Sequence, residues 1–307
     1  MVRLHASCPC ALLFVALFVL QLTAASVPAE RPTIGLALGG GGANGLAHVV
    51  ILELLDELDV QPDLIAGTSI GAIMGALYAS GFSGKDIRAL IDDVIAQETD
   101  GWRELLLDRK ILRWIEFVDP SMGRGGLIRG DKFVSFLNDA IEMDTFEELP
   151  IPLKVVATSI KTGEQVVLDS GDIGPAVQAS MAIPGLFEPV VIDGRPLVDG
   201  GLVNPVPFDL LLDECDFVIA VNVIGHLDQE KDPSLIDAMV NSTRIFQRSL
   251  LREKKKHREP DIFIDTQIKD IKVLQFHKAE NIYGQAGDAV EELRQALQAK
   301  LGLEPEE

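Results

Sequence analysis

The pentapeptide Gly67-Thr68-Ser69-Ile70-Gly71 is the stretch of this chain best suited to covalent chemistry. A serine hydroxyl is a poor nucleophile until an adjacent base takes its proton. What the pentapeptide offers is placement. Asp63 to Ala66 reads as a short apolar strand and Ile70 to Ala79 as an apolar helix. A sharp strand-to-helix turn needs residues without a Cβ on either side, here Gly67 and Gly71, because a side chain would collide with the turned backbone. Such a turn lifts the serine above the sheet edge, close to a helix N-terminus that favours negative charge. A Gly-Thr-Ser-Ile-Gly turn would equally well cap a helix, so the chemistry has to be supported from elsewhere in the chain.

Two other stretches supply that support. Asp199 follows the apolar pair Leu197-Val198 and precedes Gly200-Gly201, which puts a carboxylate at a strand end with cleared space beside it. An Asx turn is the plainer reading of Asp-Gly. Upstream, a strand from Thr33 to Leu38 runs through Gly39-Gly40-Gly41-Gly42-Ala43-Asn44-Gly45 into a helix from Leu46 to Leu58. The spacing of Gly40, Gly42 and Gly45 matches a dinucleotide fingerprint. That fingerprint expects an acid at the end of the second strand, where Ala66-Gly67-Thr68-Ser69 stands instead. A P-loop needs Lys and then Ser or Thr after Gly45, and Leu46-Ala47 follow. The third use is an oxyanion hole, in which the N–H groups of Gly40, Gly41 and Gly42 converge on one developing negative charge. A glycine loop one helix before a serine elbow suits that use best.

The elements needed to position these groups form a consistent series. Strand, glycine loop, helix, strand, elbow and helix make the right-handed βαβ opening of a largely parallel sheet. The pattern predicts further helices over Lys85 to Gln97, Asp131 to Glu142, Ser234 to Lys256 and Gly287 to Leu301, and one from Ile173 that ends at Ala182-Ile183-Pro184-Gly185. Strands are predicted over Leu153 to Ile160, Gln165 to Leu168, Asp216 to Val223 and Asp261 to Thr266. Gly101 to Arg129 reads as irregular, with Trp102 and Trp114 interleaved among Arg103, Arg109, Lys110 and Arg113. It suits either an amphipathic helix over the core or a lid that meets lipid. Met122 to Gly126 reads as a hinge. The expected fold class is an α/β, three-layer α/β/α sandwich.

Composition bounds the rest. The chain has 307 residues and a formal net charge of −20, which disfavours non-specific nucleic-acid binding. Arg3 and His5 precede an apolar run from Ala11 to Leu20, then small residues from Thr23 to Ala29. That order reads as a secretory signal peptide over residues 1–25, with cleavage after Ala25, Ser26 or Ala29 and export to the periplasm or beyond. Cys8 and Cys10 would leave with it, so Cys215 would remain alone with no internal disulfide. The mature chain shows no metal-ligand spacing, so no metal or other cofactor is expected.

The glycine loop Gly40 to Gly45, the elbow Gly67 to Gly71 and Asp199-Gly200-Gly201, in that order, resemble the patatin-like phospholipase family. The run Ala179-Ser180-Met181-Ala182-Ile183-Pro184 through Phe187-Glu188-Pro189 is also similar to the family's block before its aspartate. The resemblance implies a Ser–Asp dyad on the three-layer fold, with Ser69 as nucleophile, Asp199 as base and the loop amides as oxyanion hole. It also implies a lipid or ester substrate, with phospholipids and lysophospholipids in view and transient contact with a membrane surface. By this likeness residues 33–225 form the catalytic region, and 226–307 add a strand and helices to the same domain. Asn44 stands where the family usually has Arg or Lys, which bears on the headgroup more than on the reaction. Three rivals remain open. One is a Ser–His–Asp triad using Ser69, Asp199 and His226. The others are a catalytically silent binding module of the same fold and a dinucleotide oxidoreductase.

Overall fold

A computed structural model of the chain describes residues 31–105, 140–141, 143–226 and 235–302. Two strands show why the sheet is central. β1 (Ile34–Leu38) and β7 (Phe217–Asn222) are buried at every residue, as parallel strands covered on both faces must be. Their side chains alternate between two apolar cores. Ile34, Leu36, Leu38, Phe217, Ile219 and Val221 face one, and Ala37, Val218 and Ala220 face the other.

The first core is closed by α1 (Ala47–Glu57), α2 (Ile70–Ala79), α4 (Ile173–Ser180), α6 (Ala279–Gln285) and α7 (Gly287–Leu301). The second is closed by Phe208, Leu211 and Leu251, the last of these from α5 (Leu235–His257). The result is an α/β fold in three layers around a mixed, mostly parallel sheet. α3 (Gly84–Leu105) packs on α1.

The sheet path is β5 (Val190–Ile192), β6 (Arg195–Asp199), β3 (Leu153–Ser159), β2 (Leu64–Thr68), β1, β7 and β8 (Ile262–Asp265), with β4 (Gln165–Leu168) also on β3. The registers along β3 decide how the site is built. β4 shares residues 155–156 of β3 with β2, and residues 157–158 with β6. A strand has two edges, so β2 and β6 occupy the same one, opposite β4. They run toward each other along it. β2, parallel to β3, ends with Thr68 beside Val156, and β6, antiparallel, ends with Asp199 beside Ala157.

The structure differs from the sequence expectations in three places. The chain leaves the glycine loop through a short 3-10 turn, Gly42–Leu46, before α1 begins. α3 runs past its expected end at Gln97 to Leu105, in keeping with the amphipathic-helix reading for the start of the segment from Gly101. The short helix α6 was not anticipated, because its few residues Ala-Glu-Asn-Ile-Tyr-Gly-Gln carry too little periodicity. Residues 106–129 of the expected helix or lid, the hinge at Met122 to Gly126, all but residues 140–141 of the helix expected over Asp131 to Glu142, and the segment 1–25 lie outside the described residues.

Candidate active site

Ser69 sits between β2 and α2 with φ 55° and ψ −123°, a left-handed conformation for a residue that carries a side chain. Such a conformation costs about 1–3 kcal/mol and persists only where its surroundings dictate it. The flanking glycines allow the tight passage. A Cβ on Gly67 would lie 2.5 Å from the Gly71 carbonyl oxygen, and one on Gly71 would lie 2.5 Å from the Leu38 carbonyl carbon. Gly45 gives the same clearance to Ile70, whose Cγ1 would be 2.6 Å from an added Cβ. The N–H of Ser69 donates to Ser180 Oγ at 2.8 Å, and that hydroxyl donates to the Val156 carbonyl at 2.6 Å.

Because β2 and β6 meet end to end along β3, the residue after Thr68 and the last residue of β6 face each other. Ser69 Oγ donates to Asp199 Oδ2 at 2.8 Å across 130 residues of sequence. The other carboxylate oxygen, Oδ1, accepts the Gly201 N–H at 2.7 Å. The Asp199 backbone is fixed on both sides. Its N–H donates to the Ala182 carbonyl at 2.9 Å, and its carbonyl accepts Thr158 Oγ1 at 2.8 Å. Gly200 and Gly201 clear space, since a Cβ would lie 2.6 Å from the Val156 carbonyl carbon at the first and 2.9 Å from Asp199 Oδ1 at the second. Asp199 is 6% exposed. Burial pushes its carboxyl up from 3.8 to about 6, against the opposing pull of the Gly201 N–H and the Ser69 hydroxyl. The carboxylate is thereby a stronger base than a solvated aspartate.

Ser69, Asp199 and Gly40 to Gly42 line one cleft of about 360 Å³. The three glycines are not equivalent. Gly40 N–H is committed to the Pro205 carbonyl at 2.9 Å, as Gly39 N–H is to Val221 at 3.0 Å. Gly40 therefore does not offer the oxyanion donor that its place in the motif suggests. It serves by absence of a side chain, since a Cβ would lie 3.1 Å from Ser69 Cβ. Among the described residues no acceptor takes the N–H of Gly41 or Gly42. Those two, with the N-terminus of α2, are the groups arranged to receive negative charge.

The opposite wall of the cleft comes from α5, which contributes Met239, Thr243, Arg244 and Gln247. Sequence reasoning missed this wall, because the helix expected over Ser234 to Lys256 carries no motif. Arg244 is buried and donates to the carbonyls of His226 and Ile271 at 3.2 and 3.3 Å. Among the described residues no histidine lines the cleft with Ser69. His226 is exposed and does not line the cleft. His48 is fully buried, and its Nε2 donates to the Gly39 carbonyl at 2.9 Å. Burial holds its ring down to about 4, so it is a neutral brace for the glycine loop. Asn44 is buried too, with its Nδ2 against Gly225, and among the described residues its Oδ1 has no hydrogen-bond partner. Among the described residues no group of His, Cys, Asp and Glu is arranged to hold a metal ion.

Residues 36–212 match the family model for patatin-like phospholipase. That span is more than half of the chain and includes the glycine loop, the elbow and Asp199, so the protein belongs to the patatin-like phospholipase family. An uncharacterized NTE family protein of Mycobacterium bovis is 35% identical over 197 residues, 64% of this chain and 50% of that protein. Neuropathy target esterase of Drosophila melanogaster is 31% identical over 182 residues, 58% of this chain and 12% of that protein. The chain thus spans half the length of the mycobacterial relative and a small part of the insect one. Among solved structures, VipD from Legionella pneumophila aligns over 85% of this chain and 67% of its own, with 17% identity and a TM-score of 0.45.

Proposed function

We propose that this protein is a serine acyl hydrolase that cleaves fatty-acyl esters of phospholipids or lysophospholipids with a Ser69–Asp199 dyad. The observation that carries the reading is the direct 2.8 Å hydrogen bond from Ser69 Oγ to a buried carboxylate at the floor of a cleft. Family membership and the likeness to an esterase support the reaction class.

In this mechanism Asp199 takes the hydroxyl proton as Ser69 Oγ attacks the ester carbonyl. The oxyanion of the tetrahedral intermediate is met by the N–H groups of Gly41 and Gly42. As the carbonyl re-forms, the ester C–O bond breaks, and Asp199 returns its proton to the departing alcohol oxygen. That leaves an acyl-serine. Water, deprotonated by Asp199, attacks the acyl carbon, and a second collapse releases the fatty acid and restores the Ser69 hydroxyl. No histidine is required, because the carboxylate contacts the serine directly and its burial supplies the basicity. Residues 33–225 hold this machinery in our reading, and 226–307 complete the cleft through α5. Residues 1–25 direct export to the periplasm or the exterior. The test is hydrolysis of a panel of phospholipids, lysophospholipids and neutral esters by wild type beside Ser69→Ala. Release of fatty acid that disappears in the variant is expected, and its absence across the panel overturns the reading.

A further inference from the structure

Ser180 ends α4 with no exposed surface and does not line the cleft. Its hydroxyl has one proton, and that proton goes to the Val156 carbonyl at 2.6 Å. A lone pair is then left to accept the Ser69 N–H at 2.8 Å. Val156 is the β3 residue beside Thr68, the last rung of β2. One residue later the chain has turned to φ 55°, away from the ladder. The Ser180 hydroxyl fills the gap that this turn opens, as a one-atom bridge between an N–H that has left the sheet and a carbonyl that has stayed. The same carbonyl group packs against Gly200, next to Asp199, so the bridge stands where the two strand ends meet.

We propose that Ser180 is a positioning residue: by bridging the Ser69 N–H to the Val156 carbonyl it holds the elbow in the backbone conformation that aims Ser69 Oγ at Asp199. The inference rests on the hydrolase reading above. It also removes the Ser69 N–H from the groups able to meet an oxyanion, which leaves that task to Gly41, Gly42 and the α2 N-terminus. Without the bridge the serine relaxes out of its left-handed conformation, and Oγ moves off the carboxylate. Asp199 then loses the Ser69 contact that pulls its proton affinity down, so its titration moves further up.

Ser180→Ala removes the bridge, and Ser180→Cys keeps most of the volume with a weak hydrogen-bonding group. Both are expected to lower kcat by about 100-fold with KM within about twofold, the loss typical of a misplaced reacting group. The acid limb of the pH profile moves to higher pH in both. Full kcat in either folded variant, or a profile that does not move, overturns the proposal. A second measurement does not depend on turnover. In the purified protein labelled with nitrogen-15, the Ser69 amide should be protected from hydrogen exchange. In Ser180→Ala it should exchange about tenfold faster or more, while Ile65 and Ala66 stay protected. Equal protection of Ser69 in both proteins overturns the proposal even if no substrate is found, whereas wild type without Ser69-dependent turnover fails the hydrolase reading alone.

Discussion

If buried Asp199 is the base, the reactivity of Ser69 must follow its ionisation. The perturbation is pH, and the readout is the second-order rate of Ser69 labelling by a fluorophosphonate probe, which needs no natural substrate. With a carboxyl that titrates near 6, about one molecule in eleven carries the ionised base at pH 5 and about 99% at pH 8. Labelling at pH 5 is therefore expected to be about 11-fold slower than at pH 8, with half-maximal rate close to pH 6. An aspartate with the ordinary value of 3.8 would already be more than about 90% ionised at pH 5, and the two rates would differ by about 10% or less. The environment of Asp199 decides between these outcomes: it lies buried, and one N–H and one hydroxyl oppose the effect of burial. Rates that agree within twofold at pH 5 and pH 8 refute the assignment of Asp199 as an activated base.

The same residue links activity to stability. A carboxyl whose proton affinity is raised on folding contributes fully to stability below about pH 3.8, and that contribution is lost as pH rises through about 6. The rise corresponds to about 3 kcal/mol at 1.36 kcal/mol per pH unit, with the bond from Ser69 already included in it. Asp199→Asn is thus expected to abolish labelling and to stabilise the fold by about 3 kcal/mol at pH 8, the gain vanishing below pH 4 in urea denaturation. Gly71→Ala forces a Cβ against the Leu38 carbonyl, so a loss of about 3 kcal/mol or more is expected in the same assay. By contrast, Gly284→Ala in α6 meets no atom within 4 Å and should stabilise by up to about 1 kcal/mol. His226→Ala should leave the labelling rate within about twofold of wild type. Loss of labelling in that folded variant would revive the triad.

The groups that could react were legible in the sequence because backbone sterics write them plainly. At Gly67, Gly71 and Gly200 a Cβ would meet main chain, and at Gly201 it would meet the Asp199 carboxylate, and those constraints frame Ser69 and Asp199. The sheet was legible for a similar reason, since strands buried on both faces are continuous apolar runs. What stayed hidden depends on partners distant in sequence. That Gly40 N–H goes to Pro205 cannot be read from a run of four glycines. Nor does Ser180 announce its role: its two partners are Ser69 and Val156. The wall built by α5 was hidden too, because a helix of mean polar character reveals which residues it turns inward only after its docking is known. His226 looked promising for following a buried strand, but it is exposed and does not line the cleft.

The end-to-end meeting of β2 and β6 along one edge of β3 ties competence to completeness of folding. Both partners of Ser69 come from far along the chain, Ser180 for its N–H and Asp199 for its hydroxyl, and the second reaches it only once β6 has paired with β3. A chain in which β6 has not yet paired with β3 therefore lacks the contact between Ser69 and Asp199 on which the proposed activity depends.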